Sequence, residues 1–275
     1  MTEESHTATG PTGTVVSRDG TSIAYDRYGS GEPVVLVGGA LTDRAALGPL
    51  AQALASHFTV FAYDRRGRGA SGDTQPYAVE REIEDLAAVV AEAGGSACPL
   101  GHSSGAALVL HAAAAGVPLT RLALYEPPFM LPRDRPSLGA EFIARQRELI
   151  EAGRRGDALE HWMVSTVGMP EQAIDQMRRS PFWAGLEAIV HTTVYDATIM
   201  LVDADGAPIP ARWAETVKQP VLAMVGEKSA PWQQNSIRAL VGLLPDARLR
   251  TFPGADHGFE PAAMVPVLRE FCAGG

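Results

Sequence analysis

One serine stands in surroundings that favour nucleophilic chemistry. Ser103 is the centre of the segment GHSSG, residues 101–105, which follows the apolar run 97–100 and precedes an Ala-rich one. A serine raised on a sharp turn between a strand and a helix can attack a carbonyl, and flanking glycines leave room where a Cβ would strike backbone. The N–H groups of the following helix favour negative charge nearby. We therefore predict Ser103 as a nucleophile; the alternative is a Gly/Ser loop that only caps a helix.

Strands and helices alternate along the chain on either side of this serine. Short apolar runs such as Pro33–Val37 suit strands that are buried on both faces. The alternation predicts an α/β fold with a mostly parallel, twisted sheet and helices on both faces. The predicted strands are Thr14–Arg18, Ile23–Tyr28, Pro33–Val37, Phe58–Tyr63, Ala97–Leu100, Arg121–Tyr125, Pro220–Val225 and Ala247–Phe252. The predicted helices are Ala45–Ser56, Val79–Ala93, Ala106–Ala115, Glu141–Ala152, Gln233–Leu243 and Met264–Phe271.

The alternation is interrupted once, by a long segment with helical patterns and no convincing buried strand. This segment predicts a helical cap, or lid, over residues 129–212, inserted into a core domain formed by residues 1–128 and 213–275. Ligands of open α/β sheets bind outside the carboxyl ends of the strands. We therefore expect the cap to cover a site that includes Ser103.

Four segments, taken together, resemble the α/β-hydrolase superfamily. Residues 34–39, VVLVGG, resemble the strand and His-Gly segment of its oxyanion loop, with Gly38 in place of the usual His. Residues 63–71, YDRRGRGAS, resemble its D-x-R-G-x-G-x-S turn, which we interpret as structural. Residues 101–105 match its nucleophile elbow, and residues 254–258, GADHG, resemble its G-x-x-H segment. The four occur in family order, and the resemblance covers nearly the whole chain apart from the insertion. It implies the α/β-hydrolase fold.

The resemblance also implies roles for particular residues. His257 would be the general base that takes the proton of Ser103 and returns it to the leaving group. The backbone N–H groups of Ala40 and Ser104 would form the oxyanion hole, with Leu41 as the next candidate for the first of these.

The third member of the triad departs from the family pattern. The family usually carries an Asp shortly after the strand that precedes residues 226–229, but here the segment reads GEKS, with Ser229 at the expected position. We predict Glu126 as the replacement, because it directly follows a buried strand, where a carboxylate needs a partner. Some family members, haloalkane dehalogenases among them, take their acid from this position. Glu227 is the next candidate and Asp256 a weaker one.

The insertion is rich in aromatic and Met residues, and most of these should pack the core of the cap itself. A few are expected to form an apolar wall over the serine together with residues of the main domain. The predicted pocket residues are Leu41, Phe129, Trp162, Trp183 and Trp232.

These features predict a serine hydrolase that cleaves a carboxylic ester or lactone of a small apolar substrate through an acyl-enzyme. Two alternatives use the same scaffold: hydrolysis of a C–C bond next to a carbonyl, and a non-hydrolytic role as a lyase, a cyclase on a biosynthetic intermediate or a ligand receptor. A haloalkane dehalogenase or epoxide hydrolase is disfavoured, since those chemistries need Asp as the elbow nucleophile.

Composition limits the kinds of partner, cofactor and location that we expect for this chain. The 275 residues carry a formal net charge of −9 and no basic block, which argues against nucleic acid. No apolar run is long enough to span a bilayer, and residues 1–10 lack the apolar stretch of a signal peptide and are expected to be disordered.

Cys98 and Cys272 are expected to be buried thiols in a reducing compartment, hence a cytoplasmic location. No zinc or cofactor pattern is present, so we expect a small-molecule substrate alone and a monomer or homodimer.

Overall fold

Eight strands form one sheet in the computed structural model, which describes residues 12–132, 134, 138–200, 207–258 and 260–272. The predicted disordered segment, residues 1–10, lies outside these ranges. The spatial order is β1-β2-β4-β3-β5-β6-β7-β8; β2 is antiparallel to both of its neighbours, β1 and β4, and all the other neighbouring pairs are parallel. The predicted, mostly parallel sheet is confirmed. The strands are β1 Thr12–Val16, β2 Ser22–Tyr28, β3 Pro33–Val37, β4 Thr59–Tyr63, β5 Cys98–His102, β6 Leu122–Tyr125, β7 Val221–Gly226 and β8 Ala247–Phe252.

Helices cover both faces of this sheet. In the ranges above, no helix is both long enough and apolar enough to cross a membrane. A π-helical turn, Met163–Val167, and a 3-10 turn, Val190–Thr192, lie among the helices that separate β6 from β7. The α-helices are α1 Arg44–Leu54, α2 Val79–Glu92, α3 Ser104–Ala114, α4 Ala140–Glu151, α5 Arg155–Trp162, α6 Glu171–Arg178, α7 Phe182–Ile189, α8 Thr193–Ile199, α9 Trp213–Thr216, α10 Pro231–Leu243 and α11 Pro261–Cys272.

Strand β3 shows how the sheet divides the core into two layers. Successive side chains of a strand point to opposite faces. Val34 and Leu36 pack in the cluster that includes α1 and α11, whereas Val35 and Val37 pack in the cluster that includes α2, α3 and α10. Every residue of β3 except the first is buried, as its unbroken apolar sequence predicts for a strand with two covered faces.

The parallel register brings several loops to the same edge of the sheet. Gly101 of β5 lies opposite Val37 of β3 on one side and Leu124 of β6 on the other. The loops that follow β3, β5 and β6 therefore begin side by side. They carry the residues that were predicted to form the oxyanion hole, the nucleophile and the acid.

Helices α4–α8 and the two short turns lie between β6 and β7 and have an apolar cluster of their own. Leu149, Leu159, Trp162 and Val190 are among its buried members. This agrees with the predicted helical insertion. The predicted domain boundaries, 1–128 with 213–275 and 129–212, remain a prediction.

The two cysteines are joined in a disulfide, so the expectation of two separate thiols is wrong. Cys98 begins β5 and Cys272 ends α11, and their Cα atoms are 5.9 Å apart. Helix α11 packs against the layer that contains Cys98, which brings together two residues 174 positions apart in the sequence. That spacing gives no sign of the pairing, because the approach depends on the packing of the last helix.

Candidate active site

Ser103 lies on a strained turn between β5 and α3. Its φ of 54° and ψ of −125° are rarely adopted by residues with a side chain. A Cβ on Gly101 would lie 2.5 Å from the Cα of Ala106, and a Cβ on Gly105 would lie 2.3 Å from the carbonyl oxygen of Val37. Both distances are too short for any side chain, so the two glycines of the predicted elbow are required by the close approach of α3 to β5 and β3.

Of the three carboxylates considered for the triad, Glu126 is the one that contacts His257. Its Oε2 lies 2.6 Å from Nδ1 of the imidazole, and the residue is fully buried immediately after β6. Glu227 and Asp256 instead accept hydrogen bonds from backbone N–H groups of the loop after β8, at 2.9 and 2.8 Å. The contact between Glu126 and His257 was predicted from the sequence.

Three further donors surround the Glu126 carboxylate. Oε1 accepts from the backbone N–H of Gly226 at 2.8 Å and from the hydroxyl of Ser229, and Oε2 accepts from Nε2 of Gln233 at 3.0 Å. The same Gln233 nitrogen lies 2.8 Å from Nδ1 of His257, so the amide and the imidazole converge on one carboxylate oxygen. Ser229, at the position of the expected acid, thus donates a hydrogen bond to the carboxylate of Glu126.

Two side chains, His102 and Tyr125, contact backbone carbonyl groups of the loop that carries His257. Nε2 of His102 lies 2.9 Å from the carbonyl oxygen of His257, and because a carbonyl only accepts, this nitrogen carries the proton. Loss of hydration and the nearby His257 lower the pKa of His102 to about 4, so its ring is neutral near pH 7. The Tyr125 hydroxyl donates to the carbonyl of Asp256 at 2.6 Å. His102 therefore supports the loop that carries His257.

The loop after β3 is held by two arginines of the turn after β4. Arg65 donates to the carbonyl of Gly38 at 3.2 Å, and Arg68 donates to the carbonyl of Gly39. Both guanidinium groups are almost completely buried. The structural role predicted for residues 63–71 agrees with these contacts. Ala40, the predicted oxyanion donor, directly follows this pair of glycines.

Asp196, on helix α8, joins the same arginines and was not predicted. Its Oδ1 accepts from Ser104 Oγ at 2.6 Å and from Arg65 at 2.8 Å, and its Oδ2 accepts from Arg68 at 2.7 Å. Glu82 pairs with the other side of the Arg65 guanidinium at 2.6 and 2.7 Å. An acid in a helical segment gives no sequence signal of partners about 130 residues earlier, so only the fold reveals it.

A cavity of about 290 Å³ opens above these loops. Its lining includes Ser103, His257, Ala40 and Ser104, so the predicted nucleophile, base and oxyanion donors border the same cavity. Among the described residues of its lining, none is Lys, Arg, Asp or Glu. The rest of the lining comes from Gly39, Leu41, His102, Pro128, Met130, Trp162, Met163, Thr166, Val167, Met200, Ala230, Trp232 and Gln233.

Two of the five predicted pocket residues lie elsewhere. Leu41, Trp162 and Trp232 line the cavity. Phe129 packs edge to face against Trp213 in the core beneath the sheet, and Trp183 packs in the cluster of the inserted helices. Neither is among the described lining residues, and we correct both assignments. Sequence patterning identifies an apolar side chain but not whether a core or a cavity lies beside it.

No group of three or more His, Cys, Asp or Glu side chains that could hold a metal ion is found in the described parts of the chain. The polar side chains of the described cavity lining include two serines and two imidazoles, together with the neutral Gln233 and Thr166. This set suits acyl transfer, in which a hydroxyl, a base and two N–H donors act on one carbonyl.

Comparisons with known proteins identify the family of this chain. Residues 34–267 match the model of the Alpha/beta hydrolase family. An α/β hydrolase from Sphaerobacter thermophilus has a solved structure that is 49% identical, with a TM-score of 0.87 and coverage of 94% of this chain and 99% of that one. N-formylmaleamate deformylase from Pseudomonas putida is 28% identical over 88% of each chain. A thermophilic esterase from Thermogutta terrifontis, 22% identical with a TM-score of 0.71 over 94% and 97% of the chains, shares the fold. This chain is a member of the alpha/beta hydrolase family.

Proposed function

We propose that this protein is a serine hydrolase that cleaves the carboxylic ester or lactone of a small apolar substrate through an acyl-enzyme. The observation that carries the proposal is the 2.6 Å contact between Nδ1 of His257 and the buried Glu126 carboxylate. The carboxylate accepts a hydrogen bond from Nδ1–H, and this tautomer leaves Nε2 unprotonated and available as a base. Ser103 lies on the same cavity as this imidazole.

The reaction would proceed in two acyl-transfer steps. Ser103 Oγ bonds to the acyl carbon as His257 takes its proton, and the negative charge on the carbonyl oxygen is stabilised by the N–H groups of Ala40 and Ser104. The tetrahedral species collapses when the alcohol oxygen leaves with the proton held by His257. Water then attacks the acyl-enzyme, again through His257, and releases the acid and free Ser103. Glu126 stabilises the imidazolium in both steps.

The cavity lining supports an apolar, uncharged acyl group. Its described residues offer aliphatic, aromatic and thioether surface and no ammonium or guanidinium group to pair with a substrate carboxylate. A cavity of about 290 Å³ is small for an organic ligand, which favours short or compact acyl groups.

A second candidate is removal of a formyl group from an amide nitrogen. It is favoured by the similarity to N-formylmaleamate deformylase over 88% of the chain. The same serine, base and oxyanion donors serve both reactions, since each begins with acyl transfer to a hydroxyl. The leaving group, an alcohol or an amide nitrogen, distinguishes them.

A fluorophosphonate probe and a substrate panel test the proposal. We expect covalent labelling of the peptide that contains Ser103, and no labelling of the Ser103→Ala variant, by mass spectrometry. We also expect turnover of short-chain p-nitrophenyl esters, with slower release of formate from uncharged N-formyl amides. Failure to label the folded wild-type protein would refute an acyl-forming serine, and faster turnover of the formyl amides would favour the second candidate.

A further inference from the structure

The peptide that joins Gly39 to Ala40 is held from the side opposite its N–H group. In a trans peptide the C=O and N–H bonds point in opposite directions. Because Arg68 donates to the carbonyl oxygen of Gly39, it fixes the direction of the Ala40 N–H as well. This peptide lies beside the elbow: a Cβ on Gly39 would come within 2.9 Å of the Cβ of Ser103.

The Arg68 guanidinium is itself held by the inserted helices. Its Nη2 donates to Oδ2 of Asp196 at 2.7 Å, and its Nε donates to the hydroxyl of Thr192 at 3.2 Å. The other oxygen of Asp196 accepts from Ser104 Oγ, at 2.6 Å, in the residue that carries the second predicted oxyanion donor. The Asp196 carboxylate thus contacts Arg68, which holds the Gly39–Ala40 peptide, and also the side chain of Ser104, the second predicted oxyanion donor.

The charges of this cluster are buried and matched. The side chain of Asp196 is 0% exposed and those of Arg65 and Arg68 are 1% exposed. Burial alone would favour the protonated acid, but the guanidinium groups of Arg68 and Arg65 outweigh it and lower the pKa of Asp196 below its usual value. A cation bound to a peptide carbonyl also polarises the peptide, which makes its N–H a stronger donor.

We propose that Asp196 is a positioning residue: acting through Arg68, it sets the orientation of the Gly39–Ala40 peptide so that the Ala40 N–H stabilises the oxyanion. Through this one residue, the inserted helices would support the oxyanion loop as well as cover the cavity. The inference rests on the proposed function, because it requires an oxyanion to form at Ser103.

Asp196→Asn, compared with Tyr195→Phe, tests the inference. Tyr195 is the adjacent residue of α8; its hydroxyl donates to Asp73 at 2.8 Å and so also ties the inserted helices to the main domain, but through a separate contact. We expect Asp196→Asn to lower kcat on a p-nitrophenyl ester about 10- to 100-fold with KM within about two-fold, since loss of an oxyanion donor acts in the transition state. Fluorophosphonate labelling of Ser103 should slow in parallel. Tyr195→Phe should change neither rate by more than about two-fold, since it leaves every oxyanion contact in place.

The outcomes separate this inference from the proposed function. Equal labelling rates in the two variants, or a rise in KM without a fall in kcat, would overturn the role of Asp196 alone. Absence of labelling in the wild type would overturn the proposed function and this inference together. Thr192→Val provides a milder variant that keeps every charge, in case Asp196→Asn does not fold; it should slow labelling in the same direction, and an unchanged rate would count against the inference.

Discussion

A buried carboxylate is stable only when its charge is matched by donors, and Glu126 has several. The imidazole of His257 and the amide of Gln233 share Oε2, while Ser229 and the backbone of Gly226 share Oε1. These contacts hold the acid in one orientation. A carboxylate held in this way can stabilise an imidazolium.

Glu126→Gln should therefore disable the enzyme without unfolding it. The amide has the shape of the acid but no negative charge, so we expect kcat on a p-nitrophenyl ester to fall roughly 10³- to 10⁴-fold. The midpoint of thermal unfolding should change little. Glu227→Gln is the matched control, since Glu227 contacts the backbone of Gly254 and not His257. Near-normal turnover by Glu126→Gln would refute the assignment.

A second substitution in that variant extends the test. Ser229 contacts Glu126 directly and occupies the position at which the family usually carries its acid. Adding Ser229→Asp to Glu126→Gln should restore part of the lost kcat, about ten-fold, by supplying a carboxylate from the neighbouring loop. No recovery in a folded double variant would mean that a carboxylate at this position cannot reach the imidazole.

The neutral His102 ring predicts a pH dependence of stability. Its pKa is about 4 in the folded protein and 6.5 in an unfolded chain, so the unfolded state binds this proton first as the pH falls. The free energy of unfolding should consequently decrease between about pH 6.5 and pH 4, by roughly 1–3 kcal/mol from this group. His102→Gln, which keeps a donor toward the carbonyl of His257, should flatten the curve over that interval. Urea unfolding at a series of pH values measures this free energy. If it fell equally steeply with pH in the wild type and in the variant, the lowered pKa of His102 would be contradicted.

At the scale of elements, the buried strands were predictable because an apolar run indicates a strand with two covered faces. The predicted bounds of β3, which is such a run, agree with the structure at both ends, and so do those of β8, which is mostly exposed. Strand β5 was predicted to end at Leu100 but continues to His102, which pairs with Tyr125 of β6. Glycine at position 101 signalled a turn, but it lies within the strand, at a point where α3 passes too close for a side chain.

Gly105→Ala tests the packing of α3 against the sheet. The new Cβ would lie 2.3 Å from the backbone carbonyl oxygen of Val37, and backbone cannot move aside as a flexible side chain can. We expect a loss of about 3 kcal/mol or more in the free energy of unfolding, or insoluble protein. Gly242→Ala is the control in helix α10, where a Cβ would meet nothing within 4 Å. It should stabilise the helix by up to about 1 kcal/mol, and equal behaviour of the two variants in urea unfolding would contradict the packing argument.

At the scale of the whole molecule, the features that the sequence did not reveal join distant segments. Asp196 meets Arg68 across 128 positions, and Cys98 meets Cys272 across 174. Local sequence patterns indicate burial and turns, but a contact between residues far apart in the sequence depends on how the helices and strands pack together. The same limit explains Phe129 and Trp183, whose apolar character was evident while their neighbours were not.

The disulfide should stabilise the fold without affecting the site. Cys98 begins β5 while Ser103 follows its end, so the bridge and the nucleophile lie at opposite ends of one strand. Closing a long loop restricts the unfolded chain, and we expect Cys272→Ala to lower the free energy of unfolding by about 2–5 kcal/mol. Labelling of Ser103 should be unchanged. A reductant should shift the urea midpoint of the wild type to that of the variant and leave the variant unmoved. If thiol titration of the unfolded, unreduced protein found two free thiols, the bridge would be refuted and the original expectation of buried thiols restored.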